Sequence, residues 1–218
     1  MRNRTTLIAA EGLQFLVPSL GLTLLLFVLA DSLPFLYYVG GFTSVVSLFI
    51  AFFFRNPKRN CSAPGNAVVA PADGVVVYLG PALEERLGME MTKISIFMSV
   101  FNVHINRVPV SARVLDTFYT PGKFLDVRDD RATFENERSG MVLETAKGLK
   151  MVVVQVAGLI ARRIVCYAKQ GDQLARGQRY GLIRFGSRLD VYLPKETVLQ
   201  VAMGQRTVAG ETVLGLLP

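Results

Sequence analysis

The sequence predicts a mainly β protein, a β-sandwich or flattened barrel, preceded by an N-terminal hydrophobic α-helical hairpin. Three observations lead there. Residues 1–54 hold two long uncharged runs, residues 55–218 break into short β-branched runs between Gly, Pro and Asp, and amphipathic helix periods are scarce. The 218 residues are 51% hydrophobic and 19% charged, with a net charge of +7. That is too apolar for a disordered nucleic-acid tail and too poor in charge for an ordinary soluble enzyme. Arg2, Arg4, Glu11 and Asp31 cancel within the first 54 residues, so the whole positive excess sits in residues 55–218. Cys61, Cys166 and a lone histidine make no ligand pattern, and no metal is expected.

The first element pair is read from length and polarity. Leu13–Ala30 and Leu33–Phe54 are uncharged, and about 20 apolar residues at 1.5 Å rise cross the hydrocarbon layer. Asp31-Ser32, followed by Pro34, marks the turn between them. Arg2 and Arg4 before the hairpin, and Arg55, Lys58 and Arg59 after it, place both ends on the cytoplasmic side. Pro18, Gly21 and Pro34 leave a second geometry open, a hairpin that dips into one leaflet. A cleaved signal peptide fits less well, because the second run is too long and no small-residue cleavage site follows the first. Residues 1–54 are therefore expected to anchor residues 55–218 to a membrane.

After the linker Asn56–Asn60, strands are expected at Val68-Val69, Val75–Val77, Ile94–Phe97, Met151–Val156 and Asp190–Leu193, at intervals too short for βαβ units. Ala82–Leu87 reads as one short helix. Lys169–Gly177 and Gly204–Glu211 share a turn spacing, two glycines six residues apart (Gly171 and Gly177, Gly204 and Gly210), similar to that of lipoyl- and biotinyl-carrier sandwiches. A basic domain tethered to a membrane suits an anionic lipid surface or headgroup, each Lys or Arg contributing about 1 kcal/mol. A merely solvated positive face is the competing reading. Nucleic acid is not expected, since no aromatic-interleaved basic stripe or recognition motif is present.

Three residues could carry chemistry. His104 is the only imidazole, so any proton transfer by histidine near neutral pH falls to it, although a lone histidine on a strand reads first as a structural residue. Asp73, in Ala70-Pro71-Ala72-Asp73-Gly74, reads first as a hairpin turn and second as a carboxylate that orients an imidazole. Ser187 follows Gly186 in Phe185-Gly186-Ser187-Arg188. Together they suggest an Asp-His-Ser hydrolase, but the G-x-S-x-G elbow is missing. A Gly-Ser peptide in a tight turn permits another reaction: the hydroxyl attacks the unshielded glycine carbonyl, an ester forms, and elimination breaks the chain.

The fragments Phe52–Pro57, Ala70–Gly74, Met98–Arg107, Pro121–Phe124, Glu135–Arg138 and Arg176–Arg188, in this order, closely resemble the short prokaryotic form of the phosphatidylserine decarboxylases, a family of self-processing pyruvoyl enzymes. The resemblance runs through nearly the whole chain. It implies cleavage between Gly186 and Ser187 into a β chain (residues 1–186) and an α chain (187–218) that stay associated. It also implies a pyruvoyl group made from Ser187 without pyridoxal phosphate, and decarboxylation of phosphatidylserine to phosphatidylethanolamine through a Schiff base. Asp73 and His104 match the positions that activate the serine. One departure stands out: longer relatives carry a second histidine where this chain has Arg107. The family also includes archaetidylserine decarboxylases, which the sequence does not separate. A homodimer at the prokaryotic inner membrane is the expected assembly. Lys123, Arg128, Arg131, Arg162 and Arg163 are candidates for the lipid phosphodiester.

Overall fold

A computed structural model describes residues 6–127, 129, 131–158, 163–184 and 186–218. The chain forms two compact units that part between Lys58 and Arg59.

The N-terminal unit is a helical hairpin, α1 (Ala10–Leu29) and α2 (Leu36–Phe53). At 20 and 18 residues, both are long and apolar enough to cross a membrane. Pro18 lies inside α1 without ending it. Small and hydroxyl residues let the helices approach: Ser19 and Ser47 hydroxyls are 2.6 Å apart, Thr23 donates to Thr43 at 2.9 Å, and Gly40 faces the Phe27 ring. Such contacts join helices where lipid offers no hydrophobic drive for association. Most large side chains, among them Leu24, Val28, Phe42 and Leu48, face outward. The ends are tied by backbone bonds from Ala9 to Phe54 and from Asn56 to Leu7.

The second unit is mainly β. Its elements begin with β1 (Ala67–Val69), β2 (Gly74–Glu84), β3 (Met89–Met98), β4 (Ile105–Arg107) and β5 (Ala112–Thr120). A single turn, α3 (Ala132–Glu135), is followed by β6 (Arg138–Glu144), β7 (Lys150–Ala157), β8 (Arg163–Cys166) and β9 (Gln173–Leu174). Then come β10 (Arg179–Arg184), β11 (Ser187–Leu193), β12 (Val198–Leu199), β13 (Arg206–Thr207) and β14 (Val213–Leu216). An 8-stranded curled antiparallel sheet runs β13-β2-β3-β11-β7-β6-β5-β9, and two smaller sheets run β1-β14-β12 and β4-β10-β8. Alternation along the central strands sorts side chains onto two faces. Met98, Val153, Ala157, Leu189 and Val191 point inward, into a core shared with Val68, Ile183 and Leu214 of the smaller sheets. Met91, Val152, Val154, Val156 and Tyr192 form a second cluster on the outer face.

Every strand run expected from sequence lies in a strand, whereas two local expectations change. Ala82–Leu87 is not a helix: β2 continues to Glu84, paired with β3 as far as Met89, and Gly88 at φ +64° closes the hairpin. Sheet pairing outweighs a short helix preference there. Asp73-Gly74 is not a hairpin turn either, because β1 and β2 belong to different sheets. The two look-alike segments occupy equivalent places. β9 and β13 form the opposite edges of the large sheet, and Gly171, Gly177, Gly204 and Gly210, all with positive φ, donate backbone bonds to the carbonyls of Val114, Val108, Val76 and Ala70 in turn. Only glycine adopts that backbone at low cost.

Candidate active site

The corner between β10 and β11 is where the chain passes from a small sheet to the large one. Gly186 takes φ +60° at this corner, a left-handed conformation that disfavours any side chain. Its carbonyl oxygen packs directly over Gly158, where a Cβ would overlap it. Ser187 then enters β11 opposite Met98 of β3 and Ala157 of β7, and is fully buried. Its hydroxyl has no hydrogen-bond partner among the described residues. A buried, unengaged hydroxyl next to a glycine carbonyl that two glycines leave unshielded suits attack on that carbonyl.

His104 leads into β4, and its carbonyl accepts from Ile183 of β10 at 3.3 Å, just upstream of the Gly186 corner. The connection from β3 to β4 starts at Met98, the partner of Ser187, and is pinned by Asn102, which accepts from the Ser99 backbone and hydroxyl at 2.9 and 2.8 Å. The segments bearing His104 and Ser187 therefore run beside each other. The imidazole is 2% exposed, and its Nδ1 lies 3.0 Å from the Asn102 carbonyl. That carbonyl fixes the ring and, accepting from Nδ1–H, leaves Nε2 as the basic nitrogen.

Asp73 lies among arginines. Its carboxylate pairs with Arg59 at 2.6 Å and accepts from the Ala209 backbone at 2.8 Å. Arg107 donates to the Gly177 carbonyl at 2.9 Å, and its backbone N–H donates to Pro71. Burial and the nearby Arg59 charge lower the Arg107 pKa, while Asp73 opposes that shift. The structure thus places Asp73 with Arg59 and in the field of Arg107.

Among the basic candidates, Lys123 pairs with Glu135 at 2.8 Å and Arg131 with Asp129 at 2.7 Å, both cations exposed. Arg163 opens β8 on the surface. Arg128 and Arg162 lie outside the described residues.

Two polar groups escaped the sequence reading. On the outer face, Arg188 grips Asp190 at 2.8 and 3.0 Å, and Lys93 approaches the same carboxylate at 3.2 Å, all three buried. Lys93 and Arg188 border a cavity of about 660 Å³ with Tyr78, Thr133 and Tyr192. Strand alternation puts this cavity on the side of the sheet opposite Ser187. Charges at every second residue of an apolar strand were the available signal. On the inner face, Gln155 Nε2 donates to Asn106 Oδ1 at 2.8 Å, both side chains buried. Among the described residues no group of three or more His, Cys, Asp or Glu could hold a metal ion.

Comparison with known proteins shows the family. A family model described as phosphatidylserine decarboxylase matches residues 46–215. Proteins named phosphatidylserine decarboxylase proenzyme from Geobacter metallireducens and Geobacter sulfurreducens are each 67% identical over the full length of both chains. One from Syntrophotalea carbinolica is 54% identical over the same extent. With the match spanning both the buried histidine and the glycine–serine corner, the chain belongs to the phosphatidylserine decarboxylase family.

Proposed function

We propose that the chain is a self-processing decarboxylase that removes CO2 from the serine headgroup of phosphatidylserine, leaving phosphatidylethanolamine. The observation that carries the reading is the corner itself: a left-handed Gly186 followed by a buried, unengaged Ser187, beside the segment of the only histidine. His104 takes the Ser187 hydroxyl proton, and Oγ adds to the Gly186 carbonyl carbon as the peptide nitrogen leaves, giving an ester. Loss of the Ser187 α-proton expels the Gly186 carboxylate, and water then releases ammonia from the new N-terminus, leaving the pyruvoyl group. That group supplies a carbonyl that condenses with amines and draws electrons as CO2 departs. Asp73, the carboxylate proposed to support His104, pairs with Arg59, and the Arg107 backbone N–H ties its loop, Ala70–Gly74, to β4.

The apolar hairpin serves as the membrane anchor, on the cytoplasmic side, keeping the domain where lipid headgroups are. Lys123, Arg131 and Arg163 remain candidates for the lipid phosphate at that surface. Purified protein should release CO2 from phosphatidylserine in mixed micelles, and Ser187→Ala should release none. CO2 release by an uncleaved Ser187→Ala chain would overturn the pyruvoyl mechanism.

A further inference from the structure

Two buried amides beside Ser187 take no part in the self-cleavage chemistry, and the role inferred for them rests on the decarboxylase reading. Gln155 interrupts the otherwise apolar run Met151–Ala157, and Asn106 is fully buried on β4. Gln155 Nε2 donates to Asn106 Oδ1 at 2.8 Å and lies 3.4 Å from the Val165 carbonyl. Gly181 makes room for it: a Cβ there would press on the Val165 carbonyl and come within 3.1 Å of the amide nitrogen. The other ends of the pair are underused. Gln155 Oε1 is buried without a partner among the described residues, and Asn106 Nδ2 meets the Met98 thioether at 3.7 Å, a poor acceptor.

Register places this pair beside the reactive position. Met98 is the cross-strand partner of Ser187, and Ala157, its partner on the other side, lies two residues from Gln155 on the same inner face. A buried donor and acceptor left unspent weaken a fold, and native proteins keep few of them. Here two amides joined by one bond leave an acceptor without a partner among the described residues and a donor that meets only a thioether. The serine headgroup carries the complementary pair, an amine and a carboxylate on one carbon, whereas the ethanolamine product has lost the carboxylate.

We propose that Asn106 and Gln155 are specificity-determining residues that read the amino-acid headgroup, Asn106 Nδ2–H donating to its carboxylate and Gln155 Oε1 accepting from its amine. The pair then favours substrate over product through the carboxylate contact alone.

The test uses the full chain in mixed micelles, following self-cleavage by mass, CO2 release by kcat and KM, and inhibition by phosphatidylethanolamine. Asn106→Leu should still be cleaved, raise KM for phosphatidylserine about tenfold, the cost of one lost charge-assisted hydrogen bond, and leave product inhibition unchanged. Gln155→Met should weaken both lipids. Asn106→Asp keeps shape but sets a carboxylate against the substrate's own, so substrate should bind worse while product binds as well or better. A merely structural role cannot reverse sign between the two lipids. Equal effects on both lipids in Asn106→Asp and Asn106→Leu, or an unchanged KM, would overturn the proposal while wild-type decarboxylation stood. A wild-type chain that released no CO2 would overturn it together with the proposed function.

Discussion

Gly186 and Ser187 concentrate the demands that chemistry places on single residues. At φ +60°, a methyl group on residue 186 costs about 1–2 kcal/mol. Gly186→Ala should therefore lower Tm modestly and slow chain cleavage, both readable from a melting curve and a denaturing gel. Gly158→Ala tests the partner surface: its methyl group must displace the Gly186 carbonyl, so cleavage should slow even where the fold survives. His104→Ala should slow cleavage by at least about 100-fold, the contribution of a positioned general base. Normal cleavage in that variant with CO2 release lost would move His104 to the decarboxylation step. These residues were legible because they are scarce or sit in a telling dipeptide: a single histidine, and a serine after a glycine. The partners of Asp73 were not, since Arg59 in the linker and Ala209 near the far end of the chain meet it only through tertiary packing.

At the scale of elements, β11 carries two programmes on its two faces. Ser187, Leu189 and Val191 face the core, while Arg188 and Asp190 form a buried ion cluster with Lys93 on the other side. Burial alone would raise the Asp190 pKa, but the charges of Arg188 and Lys93 outweigh it and hold the carboxyl below its ordinary value of 3.8. A carboxylate with a depressed folded-state pKa stabilises the fold fully above its unfolded value, and that stability is lost as pH falls through the folded one. Tm should thus hold at neutral pH and drop below about pH 4. Asp190→Asn, which strands two buried cations, should cost about 3–5 kcal/mol at pH 7 and flatten the acid-side drop. An unchanged Tm at pH 7 would show that the cluster contributes little. Strand positions were readable from β-branched runs between turn residues, and the hairpin helices from uncharged length. The Ala82–Leu87 segment was misread because its local sequence carries no trace of the β3 partner that extends it. The matched loops at β9 and β13 were visible as a repeated spacing, yet only pairing showed that they finish opposite edges of one sheet.

On the scale of the whole molecule, the proposed function gives an apolar hairpin and a basic β unit one task, bringing a buried reactive group to a headgroup whose acyl chains stay in the bilayer. The hairpin's outward leucines, valines and phenylalanines should hold the full chain in the membrane fraction through an alkaline carbonate wash, and release into the supernatant would argue against an embedded anchor. The central claim, that the chain cuts itself at the sheet-switching corner to make its own reactive group, is tested most directly by the intact mass of the purified wild-type protein under denaturing conditions. The account predicts two species, residues 1–186 and residues 187–218, the smaller with a blocked N-terminus and the mass of a pyruvoyl group in place of serine. A single uncut chain that nevertheless decarboxylates phosphatidylserine would contradict it.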